Sequence, residues 1–234
     1  MKWLCTVGVA VSLALQPALA DELFGNHPLT PEARDAFVSE LLKKMTVDEK
    51  IGQLRLISVG PDNPKEAIRE MIKDGQVGAI FNTVTRPDIR VMQDQVMQLS
   101  RLKIPLFFAY DVLHGQRTVF PISLGLASSF NLDVVNTVGR ISAYEAADDG
   151  LNMTWAPMVD VSRDPRWGRA SEGFGEDTYL TTVMGKAMVE SMQGKSPADR
   201  HSVMTSVKHF AAYGAVEGGT EYNPVDMSPQ ALFN

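Results

Sequence analysis

Four apolar runs alternate with amphipathic stretches over residues 76–211, and that alternation restricts the chain to few architectures. Gln76–Asn82 (QVGAIFN), Ile104–Tyr110 (IPLFFAY), Leu151–Val161 and Ser202–Ala211 (SVMTSVKHFA) read as strands. Leu54–Val59 reads as a possible first one. Between them the period changes to that of a helix. Pro87–Leu102 carries Ile89, Met92, Val96 and Leu99 on one side. Asn131–Asp149 is stopped by Gly150, and Asp177–Gln193 sets Leu180, Val183, Met184, Ala187 and Met188 in register before Gly194. Strands without polar alternation are covered on both faces, which implies a parallel sheet under helices with right-handed crossovers.

Two α/β architectures satisfy that pattern, an open doubly wound sheet and a closed (β/α) barrel. No G-x-G-x-x-G follows the early strands, so a dinucleotide site has no support. The polar residues gather just after strands, at Asp111, at 160–177 and at 208–209. In a barrel those positions converge on one face, which is where such folds keep their sites. The preferred fold is therefore a (β/α)8 TIM-type barrel. Only four or five strands are legible, so the expectation is a partial barrel, truncated before its last strands.

The ends of the elements are marked as well. Thr30 caps a helix that opens on Pro31 and reaches about Met45, with Phe37, Leu41 and Met45 as its buried stripe. Thr46 and Glu49 form a capping box that starts a second, short helix. A helix follows Pro61 and Pro64 to about Asp74, and a last one begins near Ser228-Pro229.

The first 20 residues read as a secretory signal peptide rather than as fold. Lys2 precedes an apolar run over 3–15, and Ala18-Leu19-Ala20 is the small-x-small pattern that precedes cleavage. Residues 21–234 would be the barrel domain. The single cysteine, Cys5, lies inside the leader, so the exported chain has no disulfide framework and depends on its core. Export without disulfides suits a Gram-negative periplasm. The formal net charge of −6 comes with no basic run, which excludes a nucleic-acid partner. After the leader no segment reaches 18 apolar residues, so no membrane partner is expected either. Neither an oligomeric state nor a pH optimum can be read.

The chemistry concentrates in four places. Asp111 ends the strand IPLFFAYD and is followed by Val112-Leu113-His114-Gly115. A carboxylate there sits at a cavity mouth and can accept two hydrogen bonds from vicinal hydroxyls, unless it caps the next turn. Arg117 lies six residues on and could bind a polyol or pair with Asp111 for structure. The stretch DVSRDPRWGRASEGFGED (160–177) holds Arg163, Arg166 and Arg169, with Gly168, Gly173 and Gly175 for tight turning. Lys208-His209 ends its own apolar strand, where both need polar company, although His209 could be a neutral core histidine. Adjacent strand residues point to opposite faces, so the strand must bend or end for both to serve one site. With Trp155 and Trp167 available to pack on a ring, these groups suggest a sugar pocket. Asn152-Met153-Thr154 matches a glycosylation sequon but lies in an expected buried strand. His114 and His209 are not at metal-ligand spacing, so no metal or other cofactor is assigned.

Taken together, AYDVLHG (109–115), FPISLGLASSF (120–130), APMVDVSRDPRWGRASEGFGED (156–177) and SVKHFAAYG (206–214) resemble glycoside hydrolase family 3. The resemblance covers nearly all of the chain after the leader. It implies an N-terminal (β/α) barrel followed by further domains, and a retaining glycosidase with no cofactor. It assigns Asp111, Arg169, Lys208 and His209, and with them Arg117, to binding the terminal sugar. It places the aspartate nucleophile and the glutamate acid/base beyond Asn234, so no catalytic carboxylate is expected within this chain. Phe210 is followed by Ala211-Ala212-Tyr213-Gly214 and not by Pro-Gly-His-Gly, which favours the β-glucosidase branch over the N-acetylhexosaminidases. The expected activity is exo-acting removal of terminal β-D-glucosyl residues from a small carbohydrate substrate. The alternatives are a β-xylosidase of the same family and a non-catalytic sugar-binding fragment.

Overall fold

The structure is a computed structural model that describes residues 30–196 and 199–233. The expected signal peptide lies outside the described residues. The chain divides into two units, Met1–Met45 and Thr46–Asn234.

In the first unit, α1 spans Pro31–Lys44. It starts as the sequence predicts: the Thr30 side chain accepts from the Ala33 N–H, and Pro31 takes the first turn. The expected stripe is not buried, and Phe37 is 39% exposed. A 3.6-residue period tells which side would be buried, but burial needs a second element. Within the described part of this unit α1 is the one helix.

The second unit begins with α2, Val47–Gln53, on the expected capping box. The Glu49 N–H donates to Thr46 Oγ1 (3.2 Å) and the Thr46 N–H to Glu49 Oε2 (2.8 Å). Then come β1 (Leu56–Ser58), α3 (Lys65–Lys73), β2 (Ala79–Phe81), α4 (Arg86–Leu99) and β3 (Phe107–Tyr110). After β3 the chain forms a five-residue helix, α5 (Ser123–Ala127), then α6 (Leu132–Asp149), β4 (Met153–Thr154), α7 (Thr178–Gln193), β5 (Met204–Thr205) and α8 (Pro229–Phe233). Capping sets the helix ends. Asn131 and Asp177 accept at the starts of α6 and α7, and Gly150 ends α6 in the left-handed region at φ 99°. No helix among the described residues is long and apolar enough to cross a membrane.

Among the described residues five strands form one parallel sheet in the order β1-β2-β3-β4-β5. This α/β sheet grows in one direction. It lacks the reversal of strand order that defines a doubly wound sheet, and a one-way sheet is how barrel strands are laid down. One core joins sheet and helices: Ile80 and Phe108 from strands, Ile68 and Ile72 from α3, Ile89, Met92 and Val96 from α4, Val135 and Val138 from α6, Met184 and Met188 from α7. Each such side chain contributes about 1.5–3 kcal/mol on burial.

The strands are shorter than the apolar runs. Leu151–Val161 yields two strand residues, and so does Ser202–Ala211. An apolar run reports burial, not ladder pairing. Beyond Thr154, Ala156 and Met158 remain buried while Pro157 removes a donor. Pairing resumes at a single bridge, with Lys208 N–H donating to the Pro157 carbonyl (3.1 Å) and Val159 N–H to the Lys208 carbonyl (2.8 Å).

Candidate active site

The candidate groups arrive at the carboxyl ends of three neighbouring strands. Asp111 follows β3 directly, Asp160 lies on the tail of β4, and Lys208 and His209 lie on the tail of β5. The β5 ladder has ended at Thr205, so strand alternation no longer separates Lys208 from His209. Lys208 turns to Asp111 and His209 to Asp160 and Arg169, and both lie near Glu172.

Lys208 Nζ donates to Asp111 Oδ1 at 2.7 Å. The side chain of Lys208 is 14% exposed and that of Asp111 38%, so the ammonium is sunk and the carboxylate stands at the mouth. The structural partner of Asp111 is therefore Lys208 and not Arg117. His209 Nδ1 lies 2.7 Å from Asp160 Oδ2, and the His209 backbone N–H donates to the same oxygen at 3.2 Å. His209 Nε2 lies 3.3 Å from Arg169 Nη1. Arg169 in turn donates twice to Glu172, Nε to Oε1 and Nη2 to Oε2, each at 2.8 Å. The fork geometry of guanidinium on carboxylate fixes both side chains. The bond from Arg169 holds the Glu172 carboxyl below its ordinary range, opposed by burial and helped by the charges of Arg169 and Lys208. The same bond raises the already high value of Arg169.

Aromatic packing supports this row from one side. Tyr213 meets His209 edge-on at 4.9 Å between centroids, and Arg169 lies 5.7 Å above the Tyr213 ring. Trp167 meets Tyr213 edge-on at 5.2 Å. Trp167 is 2% exposed and belongs to a small second core with Met158 and Val216. Its expected availability for packing on a ring is thereby corrected: the indole faces Tyr213 and not the mouth. Trp155 is half-buried.

Arg117 stands apart from this row. Its guanidinium donates to Asp149 and Asp148 at the end of α6, and its backbone N–H to Glu145 Oε2 at 2.9 Å. Thr118 adds its N–H and hydroxyl to Glu145, so three acids of α6 hold the loop after β3. Of the three glycines in 168–175, Gly175 alone has a positive φ, 110°. The sequon residues are internal: Thr154 is buried, and Asn152 Oδ1 accepts the Phe108 N–H at 2.8 Å.

Asp160, Glu172 and Tyr213 carry much of the geometry and had no assigned role in the sequence. Asp160 did offer a signal, a carboxylate ending an apolar run. Its partner is 49 residues away, a distance no local pattern spans. A hollow of about 510 Å3 lies between α6 and α7 against Asn136, Arg140 and Glu190, away from all of these groups. A smaller one of about 290 Å3 adjoins Asp160 and His209.

Known proteins fit this frame. The chain is 90% identical over its whole length to the periplasmic beta-glucosidase of Salmonella typhimurium, and spans 31% of that protein. It is 33% identical over 233 residues, 90% of the chain, to a putative beta-xylosidase of Formosa agariphila, covering 30% of it. The crystal structure of a beta-glucosidase from Listeria innocua in complex with glucose superposes with a TM-score of 0.78 at 39% identity, over 85% of this chain and 30% of that one. The chain thus spans about a third of the length of the relatives it matches. The family model for the glycosyl hydrolase family 3 N terminal domain matches residues 46–234, the span that holds the parallel sheet and all the groups at its mouth. By that match and by its relatives, the chain belongs to glycosyl hydrolase family 3.

Proposed function

We propose that the chain supplies half of the glycone pocket of an exported, exo-acting, retaining β-glucosidase. In this reading the sheet belongs to a (β/α)8 barrel whose remaining strands lie outside these residues. Asp111, Lys208, Arg169 and His209 hold the hydroxyls of a terminal β-D-glucosyl residue, and Arg117 acts with them by holding the loop that carries Asp111. Residues 1–20 direct the protein to the periplasm. The observation that carries the reading is the row Asp111–Lys208 and Asp160–His209–Arg169–Glu172 at the ends of β3, β4 and β5. It alternates acceptors and donors, as vicinal hydroxyls require.

Retaining hydrolysis needs two carboxyl groups about 5–5.5 Å apart, one attacking and one transferring a proton. Asp111, Asp160 and Glu172 are each held by a cationic or imidazole partner. None is free to attack, so nucleophile and acid/base come from outside these residues. The pocket groups contribute by tightening on the hydroxyls as charge develops on the ring.

The test is Asp111→Ala in the complete enzyme with 4-nitrophenyl β-D-glucoside. Losing one charged contact to a hydroxyl costs about 1.5–3 kcal/mol, roughly 10- to 150-fold in kcat/KM. Unchanged turnover would remove Asp111 from the pocket. A second reading, a β-xylosidase, has the Formosa relative in its favour. The ratio of kcat/KM on the glucoside and the xyloside separates the two.

A further inference from the structure

We propose that Asp160 is a positioning residue that fixes His209 as its Nδ1–H tautomer, so that Nε2 is the hydrogen-bond acceptor that holds Arg169 at the pocket. The inference rests on the glycone-pocket reading for its catalytic consequence and on geometry alone for the tautomer.

The side chain of Asp160 is 1% exposed. A carboxylate taken that far from water is costly unless its oxygens are satisfied. Only Oδ2 is satisfied, and by two donors from one residue: the His209 backbone N–H and the imidazole Nδ1. Oδ1 is buried with no protein partner. A residue retained for packing would be better replaced by an apolar one, and a residue retained for an ion pair would meet a permanent cation. Asp160 meets neither. Both hydrogen bonds of its side chain define the place and the ring orientation of His209.

A carboxylate oxygen accepts, so the proton must sit on Nδ1. The other ring nitrogen then carries a lone pair. Its neighbour at 3.3 Å is Arg169 Nη1, which can only donate. Both ring contacts therefore fit one tautomer, Nδ1–H with bare Nε2. Tyr213, edge-on to the ring, leaves the imidazole little freedom to turn over. Lys208 and Arg169 contribute donors to the same mouth, and Asp111 contributes an acceptor. Nε2 accepts from Arg169 and so helps to aim the remaining N–H groups of that guanidinium at the mouth.

The experiment uses the complete enzyme and two readouts. The first is the 15N shifts of His209, assigned by its loss in His209→Ala. Wild type should show a protonated Nδ1 and an unprotonated Nε2. In Asp160→Ala the ring should move toward the Nε2–H form that free imidazole side chains prefer. Wild-type shifts of the opposite tautomer would overturn the proposal whatever the enzyme hydrolyses.

The second readout is a double-mutant cycle on kcat/KM for a β-glucoside. Asp160→Asn, nearly isosteric and spared the buried charge, should keep the wild-type melting temperature within a few degrees. It should lose roughly 10- to 100-fold in kcat/KM, the scale on which supporting contacts act. In a His209→Ala background the same change should cost less than twofold, because Asp160 acts through that ring. Additive losses, or an Asp160→Asn enzyme with unchanged kcat and KM, would overturn the proposal and leave the glucosidase reading standing. Wild type inactive on every β-glycoside would overturn the glucosidase reading and leave the tautomer to the first readout.

Discussion

Gly214 is the position at which a single methyl group should damage the site without touching any polar member of it. A Cβ built there would lie 2.3 Å from the Val161 carbonyl oxygen and 2.8 Å from its carbon, with Asp160 Cβ at 3.3 Å. Both nearest atoms are backbone, so no rotamer relieves the clash. Restoring an ordinary approach moves one segment by about 0.7 Å or more, and overpacking of this kind costs about 1–3 kcal/mol. For a unit of this size that is roughly 2–12 °C in melting temperature. The segments forced apart are the tail of β4, which carries Asp160, and the turn with Tyr213, whose ring abuts His209. The Gly214 carbonyl also accepts the Arg163 N–H at 2.9 Å and would be pulled off it. A misplacement approaching 1 Å can cost on the order of 100-fold in turnover. The assay is thermal unfolding together with kcat/KM on a nitrophenyl β-glucoside. Gly168→Ala is the control. A Cβ at Gly168 meets nothing within 4 Å, and φ is not positive there. That variant should be neutral or gain about 0.4–1 kcal/mol by restricting the unfolded chain. A Gly214→Ala protein with wild-type melting and activity, or a Gly168→Ala protein equally damaged, would refute the reasoning.

Glu172→Gln should show its effect by pH. A carboxyl lowered in the folded state stabilises fully above its unfolded value of about 4.3 and loses that contribution as pH falls through the lower folded value. The melting gap between wild type and variant should therefore be constant from about pH 7 to 5 and close below about pH 4. Asp164, held at about 2 by Arg166, should remain ionised in an NMR titration until well below the usual aspartate range. Arg117→Ala removes partly exposed, salt-screened ion pairs, so it should barely move the melting temperature, less still at high salt, and raise KM far less than Asp111→Ala. Met188→Ala, in the core at 1% exposure, should cost about 2–5 kcal/mol by denaturant unfolding.

What the sequence made legible was local. The caps at Thr30 and Thr46 could be read because a cap and the N–H that donates to it lie within three residues. The stripes of α4 and α7 could be read because a helix repeats its buried side every turn or so. Asp111, Lys208 and His209 were placed at strand ends because apolar runs stop there. What stayed hidden was pairing across the sheet. Asp111 and Lys208 are 97 residues apart, and nothing near either says which cation faces which acid. Trp167 could be read either as a buriable aromatic or as a surface for a ring, and the packing of Met158 and Val216 decides for burial. The α1 stripe failed for the converse reason, since a period states a preference and supplies no partner.

The two-residue length of β4 and β5 bears on how a bound sugar would be felt by the rest of the molecule. Side chains already supplement these brief ladders: Thr154 Oγ1 accepts the Val112 N–H at 3.1 Å, and Gln193 Oε1 accepts the Thr205 hydroxyl at 3.0 Å. A hexose spanning Asp111 and Lys208 would add a rung of the same kind, outside the covalent chain. Short ladders open locally at low cost, and their amides exchange with solvent through those openings. Ligand that binds only the closed form suppresses them in proportion to its occupancy. Glucose should therefore slow deuterium uptake at Val112 and Thr205, amides that need not touch it, while α3 and α4 exchange as before.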